Sequence, residues 1–118
     1  DLKTFTKVVS RFDLLLDGQV VFLELSKKIL SQFSDEFDIR DAIFKFFRSM
    51  KGVEVLGIFT EVSLKKTRIN FRSSRKVDVA KLAHRFDGGG HRRASGCMIE
   101  RNIKEARTVV LKELKKLL

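Results

Sequence analysis

Apolar and polar positions along this chain follow two different periods, and each change of period marks an element. Residues 8–16 and 19–25 are rich in Val, Leu and Phe and flank Asp17-Gly18, a pair favoured in type I′ hairpin turns. Alternation puts Phe12, Leu14 and Leu16 on one face of the first predicted strand and Val21, Leu23 and Leu25 on one face of the second. Residues 26–33 follow as a short helix opened by Ser26. The clearest helical period is Ile39, Ala42, Ile43, Phe46, Phe47 and Met50, a single apolar stripe with Asp38 placed to cap it and Gly52 to stop it. Helical amphipathicity alone explains that stripe, which is read as core.

Val53–Phe59 is nearly continuous apolar, as a strand buried on both faces should be. After a polar turn near Ser63–Lys66, Thr67, Ile69 and Phe71 alternate with Arg68, Asn70 and Arg72, predicting a half-buried strand with one basic face. Asp78 opens a helix with Val79, Leu82, Ala83 and Phe86 inward. A glycine-rich loop, a short strand near Ser95–Ile99 and a helix over 102–118 complete the chain; the last helix turns Ile103, Ala106, Val110, Leu114 and Leu117 to the core. The order predicts an α/β fold, a mixed β-sheet flanked by helices, with the GGGH loop between a helix and a short strand.

A chain of 118 residues makes one domain with a real core. The sequence divides it into an N-terminal hairpin and short helix over 1–37 and a core over 38–118. It has no apolar run long enough to span a bilayer and no signal-peptide pattern, so no membrane partner is expected. The single Cys97 excludes an internal disulfide, and a reducing cytoplasm is the expected compartment. Asp1 stands where an initiator Met would be, which suggests a fragment.

Charge changes the picture more. Residues 65–93 carry a net +8 of the chain's +10, with ten Lys and Arg against Asp78 and Asp87. A surplus focused beside a glycine loop points to a polyanion. The loop segment Phe86–Gly96 holds Gly88, Gly89, Gly90 and Gly96 beside His91, Arg92 and Arg93. Glycines admit positive φ and close approach of backbone amides, and the adjacent cations make phosphate the natural guest. Arg72 and Ser73, at the end of the basic-faced strand, can reach the same end of the sheet; arginine forks onto phosphate through two donors and a serine hydroxyl adds another. His84 reads as a surface residue and Cys97 as packing. No nucleophile–base pair, no Walker-type loop and no metal-ligand spacing is present, so no catalytic residue and no metal site is assigned to this chain.

The segment Phe86-Asp87-Gly88-Gly89-Gly90-His91-Arg92-Arg93-Ala94-Ser95-Gly96-Cys97 resembles the GGGHxxAAG signature of the DHH-associated C-terminal domain of DHH phosphoesterases. Gly52-Val53-Glu54-Val55, Asn70-Phe71-Arg72-Ser73-Ser74 and Val77-Asp78-Val79 agree in order. Together they are similar to the oligoribonuclease and phosphoadenosine-phosphate phosphatase (nanoRNase) branch, related to RecJ and to cyclic-dinucleotide phosphodiesterases. The match is specific across about 38–118 and looser across 1–37; Ser95 replaces a common Ala, and Arg92 and Arg93 occupy variable positions. The family's Asp-His-His motif, which holds two manganese ions in an N-terminal domain, has no counterpart here.

The resemblance therefore implies the substrate-binding part of a two-domain enzyme. Its partners would be short RNA or DNA or nucleotide phosphates, together with an N-terminal DHH domain carrying Mn2+. By motif position, Arg72, Ser73, Gly88, Gly89, Gly90 and His91 would hold the substrate's phosphate and terminal nucleotide, with Arg92 and Arg93 adding charge. The competing expectation is a non-catalytic nucleic-acid-binding module, since a related glycine-rich domain closes alanyl-tRNA synthetases and DHH domains accompany some tRNA nucleotidyltransferases.

Overall fold

The computed structural model describes residues 2–9, 11–33 and 38–118. The elements are α1 (Leu2–Val9), β1 (Phe12–Leu15), β2 (Val20–Leu25), α2 (Lys27–Leu30), α3 (Ile39–Arg48), β3 (Val55–Ser63), β4 (Lys66–Ser73), α4 (Val79–His84), β5 (Gly89–His91), β6 (Ala94–Ile99) and α5 (Ile103–Lys115). They form one six-stranded mixed sheet in the order β1-β2-β3-β4-β6-β5. The pair β2–β3 is parallel and its crossover carries α2 and α3, while every other neighbouring pair is antiparallel.

Helices cover the two faces unequally. On one face α4 and α5 enclose Val20, Phe22, Val55, Phe59, Ile69, Phe71, Cys97 and Ile99. On the other, α1 and α3 pack on Val21, Leu23, Leu25, Leu56 and Ile58. That second layer stops at β3. Beyond it the same face of β4 and β6 presents Arg68, exposed, and Asn70, Arg72, Ala94, Gly96 and Met98, half-buried. β3 is buried on both faces through Thr60, as its apolar run predicts.

The caps agree with the sequence. Ser26, Asp38 and Asp78 each accept first-turn amide N–H groups, and Asn102 does the same for α5. Four local expectations change. Val8 and Val9 end α1 instead of starting a strand, because a short apolar run fits either state and here it caps the amphipathic helix on the core. Asp17-Gly18 lies in a wider loop between paired Leu15 and Val20, with Leu16, Asp17 and Gly18 all at positive φ and Gln19 N–H donating to Leu16 O at 3.2 Å. In α3, Phe44 is buried and Phe46 is 48% exposed, since Phe46 turns toward Phe5 of α1 while Phe47 packs on Phe12. Of the glycine-rich segment, Gly89–His91 form an edge strand paired with β6. Asp1, Ser10 and residues 34–37, within the N-terminal part read from the sequence, lie outside the described residues.

Candidate functional site

The register of the last three strands decides which residues meet. Arg72 pairs with Ala94, which pairs with His91; one step along, Asn70 pairs with Gly96, which pairs with Gly89. Paired residues share a face, so Arg72, Ala94 and His91 form a row across the uncovered half of the sheet. Neighbouring strands lie about 4.8 Å apart, so the Arg72 and His91 backbones are separated by about 10 Å. The row places the two backbones together, but Arg72 turns toward α3 and the cleft there, which His91 does not line, so one ligand would have to bridge them.

The connection between His91 and Ala94 is the tight turn Arg92-Arg93, and main-chain groups hold it. Arg92 O accepts from Val79 N–H at 2.9 Å and from the Ser73 hydroxyl at 3.3 Å, and Arg93 O accepts from Ser73 N–H at 3.0 Å. The Ser73 hydroxyl thus spends its proton on the turn; its contribution here is to fix Arg92-Arg93 against the end of β4.

The three consecutive glycines do different jobs. A Cβ on Gly88 would overlap Gly96 O and sit 2.6 Å from Cys97 Cβ, and one on Gly90, at φ +139°, would sit 2.7 Å from Ala94 O. Both are demanded by close packing of the chain after α4 on β6. A Cβ on Gly89 would meet no atom nearer than His84 Cε1, at 3.9 Å. Packing does not explain that glycine. A side chain there would have room.

Arg72 points from β4 toward α3. Its guanidinium lies 4.1 Å from the centre of the Phe44 ring, and Nη1 donates to Phe71 O at 2.9 Å. Burial lowers its pKa; Asp41 and Asp38 oppose that shift and Arg48 adds to it. A guanidinium remains charged regardless. The direction records a partly desolvated cation with no carboxylate bonded to it, which favours an incoming anion.

Beside Arg72 opens a cleft of about 940 Å³ between α3 and the ends of β4 and β6. Ser73, Arg93 and Ala94 also line it, whereas Gly88, Gly89, Gly90, His91 and Arg92 lie outside, along the adjacent sheet edge. His91, Arg92 and Arg93 are exposed. Asn70, on Arg72's face, is a further candidate that the motif reading did not select. Its Oδ1 is buried without a hydrogen-bond partner, and alternation with Ile69 and Phe71 was the signal that could have found it. Cys97 is buried, and burial pushes its thiol up to about 12, so it is no nucleophile at neutral pH. His84 is exposed. Among the described residues no group of three His, Cys, Asp or Glu side chains is placed to hold a metal ion.

Comparison with known proteins identifies the family and the fold. Residues 17–118 match the DHHA1 domain family. A search of curated proteins gives no match. Among solved structures, an exopolyphosphatase-related protein from Bacteroides fragilis superposes with a TM-score of 0.82 at 26% identity, over 98% of this chain and 34% of that one. A pGpG-specific phosphodiesterase from Vibrio cholerae gives 0.66 at 16% identity, over 98% of this chain and 38% of that one. The C-Ala domain of Aquifex aeolicus alanyl-tRNA synthetase gives 0.61 at 13% identity, over 88% of this chain and 97% of that one. This chain therefore spans little more than a third of the first two proteins. With the family match running from the hairpin turn to the last residue, the chain belongs to the DHHA1 domain family.

Proposed function

We propose that this chain is the substrate-binding domain of a DHH-family phosphoesterase acting on short oligonucleotides or nucleotide phosphates. The observation that carries this reading is the row Arg72–Ala94–His91, where a guanidinium partly desolvated against Phe44 and without a bonded carboxylate shares one sheet face with an exposed imidazole. Arg72 would take a phosphate through its forked donors and His91 would add a hydrogen bond. Gly89 would let the nucleotide approach the backbone, and Arg92 and Arg93 would add charge. The pGpG phosphodiesterase among the structural neighbours fits a nucleotide guest.

On this reading the residues of this chain would bind and orient the substrate; among the described residues no group of three His, Cys, Asp or Glu side chains could hold a metal ion. The Mn2+ chemistry of such an enzyme is assigned to an N-terminal DHH domain of the same protein, and its compartment to the cytoplasm. Among the described residues no helix is long and apolar enough to cross a membrane.

Titration of the purified chain with AMP and with a dinucleotide tests the reading. Weak binding without hydrolysis is expected, and Arg72→Ala or His91→Ala should weaken the binding, about 30-fold for Arg72→Ala, while leaving the circular dichroism spectrum unchanged. Binding by either variant equal to the parent's, or turnover by the isolated chain, overturns it. A second reading, a non-catalytic tRNA-binding module, draws on the likeness to the C-Ala domain. Many phosphate contacts would give that module a steep salt dependence, whereas a dinucleotide cradle gives a shallow one.

A further inference from the structure

The cleft beside Arg72 is larger than one phosphate requires, and its charge is not used internally. Arg48 at the end of α3, Lys51 just beyond it, and Arg75 and Lys76 in the β4–α4 connection all line it. None of the four forms an ion pair among the described residues. Glu54 is the one carboxylate in the lining, and its hydrogen bonds go to backbone N–H groups and to none of those four side chains. It accepts the backbone N–H groups of Arg75 at 3.2 Å and Val77 at 2.9 Å, and that of Lys76 between them. Ser74 N–H adds a bond to Glu54 O at 2.9 Å. The acid thus shapes the loop that presents Arg75 and Lys76 and neutralises no side chain. The cleft is continuous with the terminal site, because Arg72, Arg93 and Ala94 belong to both. Half-buried Met50 and Val53, in the connection from α3 to β3, give the cleft an apolar strip.

We propose that this cleft is a second subsite, taking the internucleotide phosphates of a single-stranded oligonucleotide longer than a dinucleotide, with Arg48, Lys51, Arg75 and Lys76 as its cations. The inference rests on the terminal-nucleotide reading above. The apolar strip favours a chain that carries bases over inorganic polyphosphate.

Calorimetric titration of the 118-residue chain with a dinucleotide, a tetranucleotide and tripolyphosphate tests it. The tetranucleotide should bind about tenfold more tightly than the dinucleotide at low salt, with tripolyphosphate the weakest of the three. The triple variant Lys51→Glu/Arg75→Glu/Lys76→Glu, which leaves Arg48 beside Arg72 untouched, should lose that length gain and reduce the salt slope for the tetranucleotide by about two. Its dinucleotide affinity should stay within about threefold of the parent's. Lys104→Glu/Lys115→Glu, away from the cleft, controls for net charge and should keep the length gain. Loss of the gain in that control, its persistence in the triple variant, or its absence from the parent overturns the proposal. Tripolyphosphate bound as tightly as tetranucleotide overturns the oligonucleotide assignment. A parent that takes tetranucleotide through these cations but no dinucleotide would overturn the terminal-site reading and leave the cleft standing.

Discussion

Arg72 and Arg107 each lie against a phenylalanine ring, at 4.1 Å over Phe44 and 5.5 Å over Phe22, yet they are opposite cases. Arg107 bridges Asp13 at 2.6 Å and Glu24 at 2.7 Å, tying α5 to the β1–β2 hairpin. Burial alone would lower its pKa, but the bonds to Asp13 and Glu24 outweigh that and raise it. Arg72 has the burial without the bonds, and its pKa falls. The pattern extends outward: Arg85, Arg101 and Arg107 pair with carboxylates on or beside α5, while Arg48, Arg72, Arg75 and Arg93 around the cleft have no ion pair among the described residues. Arg107 ties elements together; Arg72 and its unpaired neighbours around the cleft are the ones left, on the proposed reading, to an outside anion, while Arg11, Arg40 and Arg68 are also without ion pairs among the described residues, away from the cleft.

That distinction can be broken by mutation, and the largest effect should come from a scaffold residue inside the glycine motif. Gly88→Ala forces a Cβ into Gly96 O and Cys97 and should cost about 3 kcal/mol in urea denaturation. Gly89→Ala has the space and should cost less than about 1 kcal/mol while weakening nucleotide binding. Equal losses of stability at the two positions would end the division of labour proposed for the motif.

Arg72→Ala should reduce dinucleotide affinity about 30-fold, the equivalent of about 2 kcal/mol for a charge-assisted pair, with an unchanged melting temperature. Arg107→Ala should do the reverse: affinity within about twofold of the parent, and about 1 kcal/mol less stability, because both its carboxylate partners are largely solvated. A destabilised Arg72 variant with an unaffected Arg107 variant would invert the comparison.

The smallest effect concerns Cys97. Its folded-state pKa is raised, so the stability it contributes is whole below the ordinary thiol range and is lost as pH climbs toward about 12. Cys97→Ala should therefore show a shallower alkaline fall in stability than the parent. In the native parent the thiol should resist alkylation at pH 8, and rapid labelling there would contradict its burial.

Much of this was legible in the sequence. The caps at Ser26, Asp38 and Asp78, the doubly buried β3 and the alternation of β4 follow from local rules that tertiary structure did not override. The glycine edge strand was not legible, because glycine disfavours strands and β5 exists through its pairing with β6. Neither was the exchange of Phe44 for Phe46, since a stripe wide enough to touch both the sheet and α1 has no unique inner face. The basic segment already contained Arg75 and Lys76, but Arg48 and Lys51 join them only through the packing of α3 beside β4. Such a cluster spans the crossover and has no signature along the chain.

The turn at Arg92-Arg93 is secured by its carbonyls, on Val79 N–H and on both donors of Ser73. Neither exposed side chain is asked to hold the fold. These two positions therefore form an adjustable lip on a fixed rim. Residues of any charge or size that tolerate the turn can be exchanged there without renegotiating the architecture beneath, and on the proposed reading such exchanges would retune the ligand.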